Sequence, residues 1–103
     1  MEQKTIAGIS VEVNPEGYLV KPEQWTKEIA FEIAAELGIE LTDKHFEVLT
    51  YLRKEHAAGT QLSIRKVGKS GIVDIKGLYA LFPAGPLKFS AKIAGIPKPV
   101  SCV

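Results

Sequence analysis

The sequence has one cysteine, one tryptophan and one methionine in 103 residues, and it has no long apolar run. A single cysteine cannot form an internal disulfide, which fits a reducing compartment. Without about 20 consecutive apolar residues there is no candidate membrane span. The first residues, Met1 to Lys4, do not form a signal-peptide pattern. These absences predict a cytoplasmic protein.

The sequence also has no large excess of positive or negative charge, because it contains 13 Lys and Arg and 12 Asp and Glu, a net charge of +1. This excludes the broad positive field that is typical of nucleic-acid-binding proteins. The distribution is uneven, since residues 64–103 carry seven basic side chains and only Asp74 as an acid, a local net charge of +6. Length and a 46% apolar content predict one globular domain over residues 1–103.

The single cysteine, Cys102, is the penultimate residue and follows the segment Pro97-Lys98-Pro99. Each proline fixes a backbone dihedral and removes a hydrogen-bond donor, so this tail is expected to be extended and stiff. At about 3.3–3.6 Å per residue, the thiol can reach roughly 20 Å from Ile96. One alternative is a frayed chain end without function. The stiff spacer favours a thiol that is presented to a partner.

Short alternating apolar patterns near the amino terminus predict strands. Ile9, Val11 and Val13 form one strand, the turn at residues 14–17 follows, and residues 18–20 form its hairpin partner. Residues 5–8 add a bend or a third short strand. Strands this short need a helical layer to cover their apolar face.

Helical periodicity with start and stop residues predicts five helices. Pro22, Thr42 and Ser63 are suitable starts, and Trp25 and Tyr79 fall on apolar stripes that are expected to belong to the core. The predicted helices span residues 22–37, 43–57, 64–68, 72–82 and 87–94. The fold class is therefore α+β: a small amino-terminal β-hairpin or meander packed on about five helices, with an extended, flexible carboxyl-terminal arm at about 95–103.

Several familiar motifs fail. The triplet at residues 68–70 resembles the end of a phosphate-binding loop, but Ser63 stands where that loop needs glycine. His45 and His56 lie about 16 Å apart along one helix, so they cannot share a metal ion, and each is expected to be a partly covered edge residue. No metal site is predicted. Residues 61–82 fit a helix-turn-helix, although basic side chains on surface helices are more often a solvated face than a DNA-binding surface.

The carboxyl-terminal third resembles one protein family closely. The segments LFPAGP at residues 81–86 and AGIPKP at 94–99, followed by Cys102-Val103, are similar to the signature of the DsrC/TusE sulfur-relay family. Upstream, the family's central helix is similar to residues 39–53, and the segment that leads to it is similar to residues 16–19 and 22–25. The resemblance covers almost the whole chain.

The resemblance implies the family fold, a meander sheet on an array of helices that ends in a mobile cysteine arm. It also implies a sulfur carrier, at most a sulfurtransferase, with Cys102 as the reactive residue. The partner-docking arm that it implies comprises Lys92, Gly95, Pro97, Lys98 and Pro99. The implied partners are a sulfur donor similar to TusBCD or DsrEFH, and a tRNA-thiolating enzyme or sulfite reductase as acceptor. A monomer without any cofactor beyond the transferred sulfur is expected.

One position departs from part of the family. Members that serve sulfite reductase as its gamma subunit resemble one another in a second cysteine, where this chain has Ala91. Chemistry that needs two thiols is therefore absent, and the expectation is a TusE-like carrier that serves tRNA 2-thiouridine synthesis. The alternatives are a partner of dissimilatory sulfite reductase, a docking or regulatory protein that carries no sulfur, and a DNA-binding protein.

Overall fold

A computed structural model of the protein describes residues 2–83 and 85–98. Two antiparallel strands open the chain, β1 (Glu2–Ile6) and β2 (Ile9–Val13). The chain reverses at Ala7 and Gly8, whose φ angles are 53° and 77°. Positive φ at both central residues is the geometry of a tight two-residue hairpin turn. The backbone N–H of Ala7 donates to the Glu32 carboxylate, which helps to hold this unusual alanine conformation.

The predicted hairpin of β2 with residues 18–20 is confirmed only in part. Asn14 N donates to Tyr18 O (2.9 Å) and Val20 N to Glu12 O (3.0 Å), but residues 18–20 form a single bridge, between Val13 and Leu19, and the strand that pairs along β2 is β1. The turn between them is closed by Asn14 Oδ1, which accepts from the backbone N–H groups of Glu16 (2.9 Å) and Tyr18 (3.0 Å). Beyond Val20 the chain continues to the helices.

The first predicted helix is divided in two. Pro22–Gln24 form one 3-10 turn, and α1 begins only afterwards, at Lys27–Glu36. Between them Thr26 is extended and caps α1, its Oγ1 accepting from Ile29 N at 3.2 Å. Trp25 is consequently extended and off the helix, so the prediction that it belongs to a helical apolar stripe was wrong.

The remaining helices are α2 (Asp43–Ala57), α3 (Ile64–Gly68), α4 (Ile75–Leu81) and α5 (Pro86–Ile93). The predicted bounds of α2 and α3 are confirmed, and α5 differs by one residue at each end. Helix α4 starts three residues later than predicted because Asp74 Oδ1 accepts from Gly77 N at 2.6 Å and acts as its N-cap. None of the helices within the described ranges is long and apolar enough to cross a membrane.

A single apolar cluster joins the hairpin to the helices. The residues that are buried completely or nearly so include Ile6, Leu19, Ile29, Leu49, Leu52, Leu78, Phe82, Leu87 and Ile96. Helix α5 lies centrally in this arrangement, since it contacts α1, α2 and α4. The α+β class and the order of elements match the sequence-based expectation.

Two side chains were assigned to the wrong environment. Tyr79, expected in the core, is 45% exposed. His45, expected at an edge, is buried. Its Nδ1 accepts from Thr42 N (3.1 Å), and its Nε2 donates to Leu81 O (2.9 Å). The imidazole joins α2 to the end of α4.

Candidate functional site

The first residues of the predicted flexible arm, 95–98, are held at the end of α5, so the prediction of an arm that is flexible from about residue 95 was wrong for these residues. We call residues 93–98 the arm base. Gly95 has a φ of 71°, and its N–H donates to Lys92 O while Ile96 N donates to Ala91 O, both at 3.2 Å. This pair of bonds is a Schellman motif, which ends a helix by a left-handed residue, here a glycine. Ile96, the apolar residue after the glycine, is 1% exposed.

Trp25 fixes the arm base from one side. Its indole Nε1 donates to Ile93 O at 2.8 Å. The ring lies so close to Gly95 that a Cβ at that position would stand 2.3 Å from Trp25 Cδ1. Glycine is therefore required at residue 95 for two separate reasons, the positive φ and the approach of the indole.

Arg53 ties the same region to α2. Its guanidinium donates to Ala94 O at 2.8 Å and to Pro22 O at 3.0 Å, and it lies 4.3 Å from the centroid of the Trp25 ring. Burial lowers the pKa of Arg53, but a guanidinium remains protonated in proteins. Because charge-assisted donors and ring stacking act together here, Arg53 and Trp25 form one clamp around the arm base.

Lys98, the last residue described, contacts the turn after β2. Its Nζ donates to Glu16 Oε2 at 2.8 Å. The turn is itself joined to α5, because the buried Tyr18 donates from its hydroxyl to Lys88 O at 3.1 Å. The hydrogen bond from Lys98 lowers the pKa of Glu16, and the positive charges of Lys98, Lys88 and Lys92 act in the same direction against an opposing effect of desolvation.

Lys92 lies beside the same turn. Its Nζ lies 6.0 Å from the centroid of the Tyr18 ring, and a Cβ on Gly17 would stand 3.1 Å from that nitrogen. Lys88 is one helical turn earlier on α5 and is exposed. We call Lys88, Lys92 and Lys98 the lysine cluster. It borders the point at which the described chain ends.

Four of the six residues predicted for the site are thus brought together. Lys92, Gly95, Pro97 and Lys98 lie within the described chain, around the end of α5. The other two, Pro99 and Cys102, lie outside the described residues.

Four further residues were missed by the sequence-based prediction. They are Glu16, Tyr18, Trp25 and Arg53, which hold the arm base and its surroundings through the hydrogen bonds given above. A glycine and an apolar residue directly after a helix do signal a Schellman motif. No local pattern, however, indicates which distant side chains will contact it.

Ala91 occupies the position at which two-cysteine relatives are expected to carry their second thiol. It is completely buried on α5, and its carbonyl accepts the Schellman bond from Ile96. The position is part of the core in this protein. A side chain there is not presented to solvent.

The remaining surface of the described residues offers little chemistry. A groove of about 590 Å³ lies beside Trp25 and is lined by Phe46 and Tyr51 among others, but by no serine, cysteine or histidine. Within residues 2–83 and 85–98 no group of three or more His, Cys, Asp or Glu could hold a metal ion.

This arrangement defines a class of protein: a small α+β domain whose carboxyl-terminal segment is anchored by a conformationally fixed base. Comparison with known proteins identifies the family. The model of the family described as "DsrC like protein" matches residues 5–103, and the chain belongs to that family.

Curated relatives in the family include the sulfurtransferase TusE of Salmonella typhimurium, which is 40% identical over 93% of this chain and 95% of its own length. The Escherichia coli sulfurtransferase TusE is 39% identical over the same shares of the two chains.

Solved structures agree with this assignment. The crystal structure of dissimilatory sulfite reductase I (DsrI) has a TM-score of 0.85 at 31% identity, and covers 99% of this chain and all of that one. The oxidized gamma subunit (DsrC) of Archaeoglobus fulgidus has a TM-score of 0.81 at 30% identity with the same coverage. DsrC of Allochromatium vinosum has a TM-score of 0.80 at 32% identity, with 99% and 98% of the two chains covered.

Proposed function

We propose that this protein is a sulfur carrier that accepts one sulfane sulfur on Sγ of Cys102 and passes it to the thiol of a partner. Membership of the DsrC-like family and 40% identity to proteins named sulfurtransferase TusE support a place in a sulfur relay. The observation that carries the proposal is that Cys102 is the only cysteine of a chain that matches these relatives over almost its whole length.

The transfer needs no oxidant or cofactor. The Cys102 thiolate attacks the outer sulfur of a donor persulfide, R–S–SH, and a new S–S bond forms as the old one breaks. The electron pair of the old bond leaves on the donor thiolate, R–S⁻, and the sulfane sulfur keeps its proton as Cys102–S–SH. The same step in the next protein, with Cys102 as the leaving thiolate, restores the carrier.

The arm base suits this chemistry because it fixes the position of the chain four residues before Cys102. Lys98 is held against Glu16, and Gly95 is enclosed by Trp25 and Arg53. Cys102 is four residues beyond Lys98. At about 3.3–3.6 Å per residue, its Cα lies at most about 14 Å from that of Lys98. A partner that exchanges sulfur with Cys102 must therefore approach this end of the molecule.

The alternative of a sulfite-reductase partner is not favoured. Identity to the named sulfurtransferases is 40%, against 30–32% to the DsrC and DsrI structures compared above. The chain also has the buried Ala91 in place of a second cysteine, so it cannot release sulfur by forming an internal disulfide.

The partners are proposed by chemical class. A persulfide-bearing donor similar to TusBCD or DsrEFH supplies the sulfur, and a tRNA-thiolating enzyme accepts it. We further propose that the protein acts as a monomer in the cytoplasm, where a lone cysteine would remain reduced.

The proposal is tested by intact-protein mass spectrometry after incubation with a cysteine desulfurase, L-cysteine and a TusBCD-type donor. We expect a gain of one sulfur atom that is reversed by reductant. The Cys102→Ser variant, which has no thiol, should show no gain while its circular dichroism and melting temperature match the wild type. A gain in that variant, or none in the wild type with a donor shown to be active on TusE, would overturn the proposal.

A docking protein that carries no sulfur would respond differently. Deletion of residues 100–103 would then weaken partner binding, whereas Cys102→Ser would leave both binding and pathway output unchanged. The output is read as 2-thiouridine content of tRNA in cells that depend on the variant.

A further inference from the structure

The lysine cluster is the most concentrated charge next to the arm base. Lys98 hydrogen-bonds Glu16 at 2.8 Å, Lys92 extends along Gly17 and Tyr18, and the backbone of Lys88 is tied to Tyr18. The positive charges of Lys88, Lys92 and Lys98 all act on Glu16, so three ammonium groups lie near this one turn. Glu16 is the acid in their midst, and the groove beside it adds Glu2 and Lys4, whose charges offset each other.

The charges are unevenly distributed along the chain. Residues 1–63 have a net charge of −5, and residues 64–103 have +6. On α1, Glu28, Glu32 and Glu36 are exposed, but Glu36 pairs with Lys4 and Glu32 accepts from the N–H of Ala7. A local group of positive charges attracts an acidic partner surface before contact.

The reach of the arm places any partner beside the lysine cluster. The Cα of Cys102 lies at most about 14 Å from that of Lys98, since Cys102 is four positions further along the chain. The screening length at physiological ionic strength is about 8 Å, so carboxylates around a partner's reactive thiol interact with these lysines where docking brings them within about that distance.

We infer that the lysine cluster is a docking surface for acidic side chains that surround the reactive cysteine of a sulfur-exchanging protein. The inference rests on the proposed function, because that function brings a partner to this end of the chain. Contacts between the lysines and partner carboxylates would raise the rate of encounter and fix the register of the arm.

An acidic protein surface fits better than a nucleic acid. Three lysines can neutralise at most three phosphates, whereas tight binding to a polyanion draws on many such contacts. The chain has two arginines, and Arg53 already donates to two backbone carbonyls. We therefore expect no tight nucleic-acid binding at this surface, and the test includes an RNA to check this.

The first test measures binding without sulfur chemistry. In the Cys102→Ser background, fluorescence anisotropy at low salt follows a labelled Glu/Gly peptide, a Lys/Gly peptide and a short RNA hairpin. The cluster variant carries both Lys88→Gln and Lys92→Gln. It is compared with a matched variant that carries both Lys69→Gln and Lys76→Gln. Lys69 and Lys76 are exposed; Lys69 is the C-cap residue after α3 and Lys76 lies on α4, and the change in net charge is the same.

We expect the cluster variant to lose about tenfold in affinity for the acidic peptide and the matched variant less than twofold. Equal losses in the two variants would show that only net charge matters, and would overturn the inference. So would the absence of binding to the acidic peptide, or RNA binding that is stronger and is lost in the cluster variant.

The second test separates this inference from the proposed function. Persulfidated peptides with acidic or neutral flanks are offered to the wild-type protein, and the rate of sulfur gain on Cys102 is measured by mass spectrometry. The acidic donor should react about tenfold faster, and the cluster variant should lose this preference. Sulfur gain without any preference would overturn the docking surface alone. Absence of sulfur gain together with peptide binding would overturn the carrier function alone.

Discussion

Gly95 is a single residue on which the geometry of the arm base depends. Its φ of 71° ends α5, and its missing side chain lets Trp25 approach. Trp25 in turn donates to Ile93 O, so the indole both covers the glycine and fixes the helix end before it. Trp25 is the only tryptophan, which makes its fluorescence a direct report on the clamp.

Gly95→Ala should destabilise the protein more than the matched substitution Gly71→Ala. Both glycines have positive φ, which costs an alanine about 1–2 kcal/mol. Only at residue 95 would the new Cβ meet a neighbour, since nothing lies within 4 Å of it at Gly71. Displacing the indole adds about 1–3 kcal/mol. Urea denaturation measures the difference, and Trp25 emission should shift in Gly95→Ala alone; equal stabilities would contradict the clash.

The contact between Glu16 and Lys98 is expected to depend on pH. The hydrogen bond from Lys98 lowers the pKa of Glu16 below its usual 4.5. A carboxyl group whose folded-state pKa is lowered stabilises the fold above its unfolded pKa, and this contribution is lost as pH falls through the folded value. The pair therefore contributes at neutral pH and not in strong acid.

An NMR titration of the Glu16 carboxyl group should give a pKa below 4.5 in the wild type. Lys98→Gln should raise that pKa toward 4.5 because it removes the hydrogen bond and the nearest charge. Lys69→Gln, at the C-cap of α3, is the matched control and should leave it unchanged, because Lys69 is not among the charges that lower this pKa. If Lys98→Gln had no effect, the contact between the arm base and the turn would not exist in solution.

At the scale of elements, α5 belongs to the core and also leads into the arm base at its carboxyl-terminal end. Its inner face buries Leu87, Ala91 and Ile93, and its outer face carries Lys88 and Lys92. Helix α2 supports it through Arg53, which connects the carbonyls of Pro22 and Ala94 across three segments of chain. The position of the arm base is therefore a property of packed helices rather than of a loop.

The buried face of α5 predicts the result of adding a second thiol. In Ala91→Cys the introduced thiol should react with iodoacetamide about 100-fold more slowly than the thiol in Lys88→Cys on the exposed face, because Ala91 is 0% exposed and reaction needs local opening. Mass spectrometry measures both rates, and in urea they should become equal. Fast alkylation of Ala91→Cys in the native protein would show that α5 opens readily.

At the scale of the whole molecule, the local distribution of charge matters more than its sum. The net charge is only +1, yet the two parts of the sequence differ by eleven charges. The lysine cluster, with Lys88 and Lys92 on α5 and Lys98 after it, belongs to one compact body with extents of 34 × 28 × 20 Å. We expect this cluster to face an acidic partner.

Sulfur transfer from an acidic donor should consequently depend on salt. We expect the rate of sulfur gain to fall about tenfold between about 0.01 and 0.15 M ionic strength, since the screening length shortens from about 30 to 8 Å. Alkylation of Cys102 by iodoacetamide, which is neutral, should change little over the same range. An unchanged transfer rate would mean that the long-range field of the protein plays no part in the encounter.

The sequence alone determined those features that depend on neighbours along the chain. Thr42 and Ser63 marked the starts of α2 and α3, and both helices have the predicted bounds. Local patterns were misleading where a nearby polar side chain competed, as Thr26 does by capping α1 and dividing the first predicted helix. The motif around the terminal cysteine was sufficient to indicate the family, because short functional motifs are contiguous.

Only the tertiary structure decided how the arm base is held. The contacts that fix it join Tyr18 to Lys88, Trp25 to Ile93, Arg53 to Ala94 and Glu16 to Lys98, across 70, 68, 41 and 82 residues of sequence. Periodicity and capping describe spacing within one element, and they carry no information about which elements meet. The packing of α5 between α1 and α2 supplies that information, because burying the apolar faces of these helices brings the distant side chains within hydrogen-bonding distance.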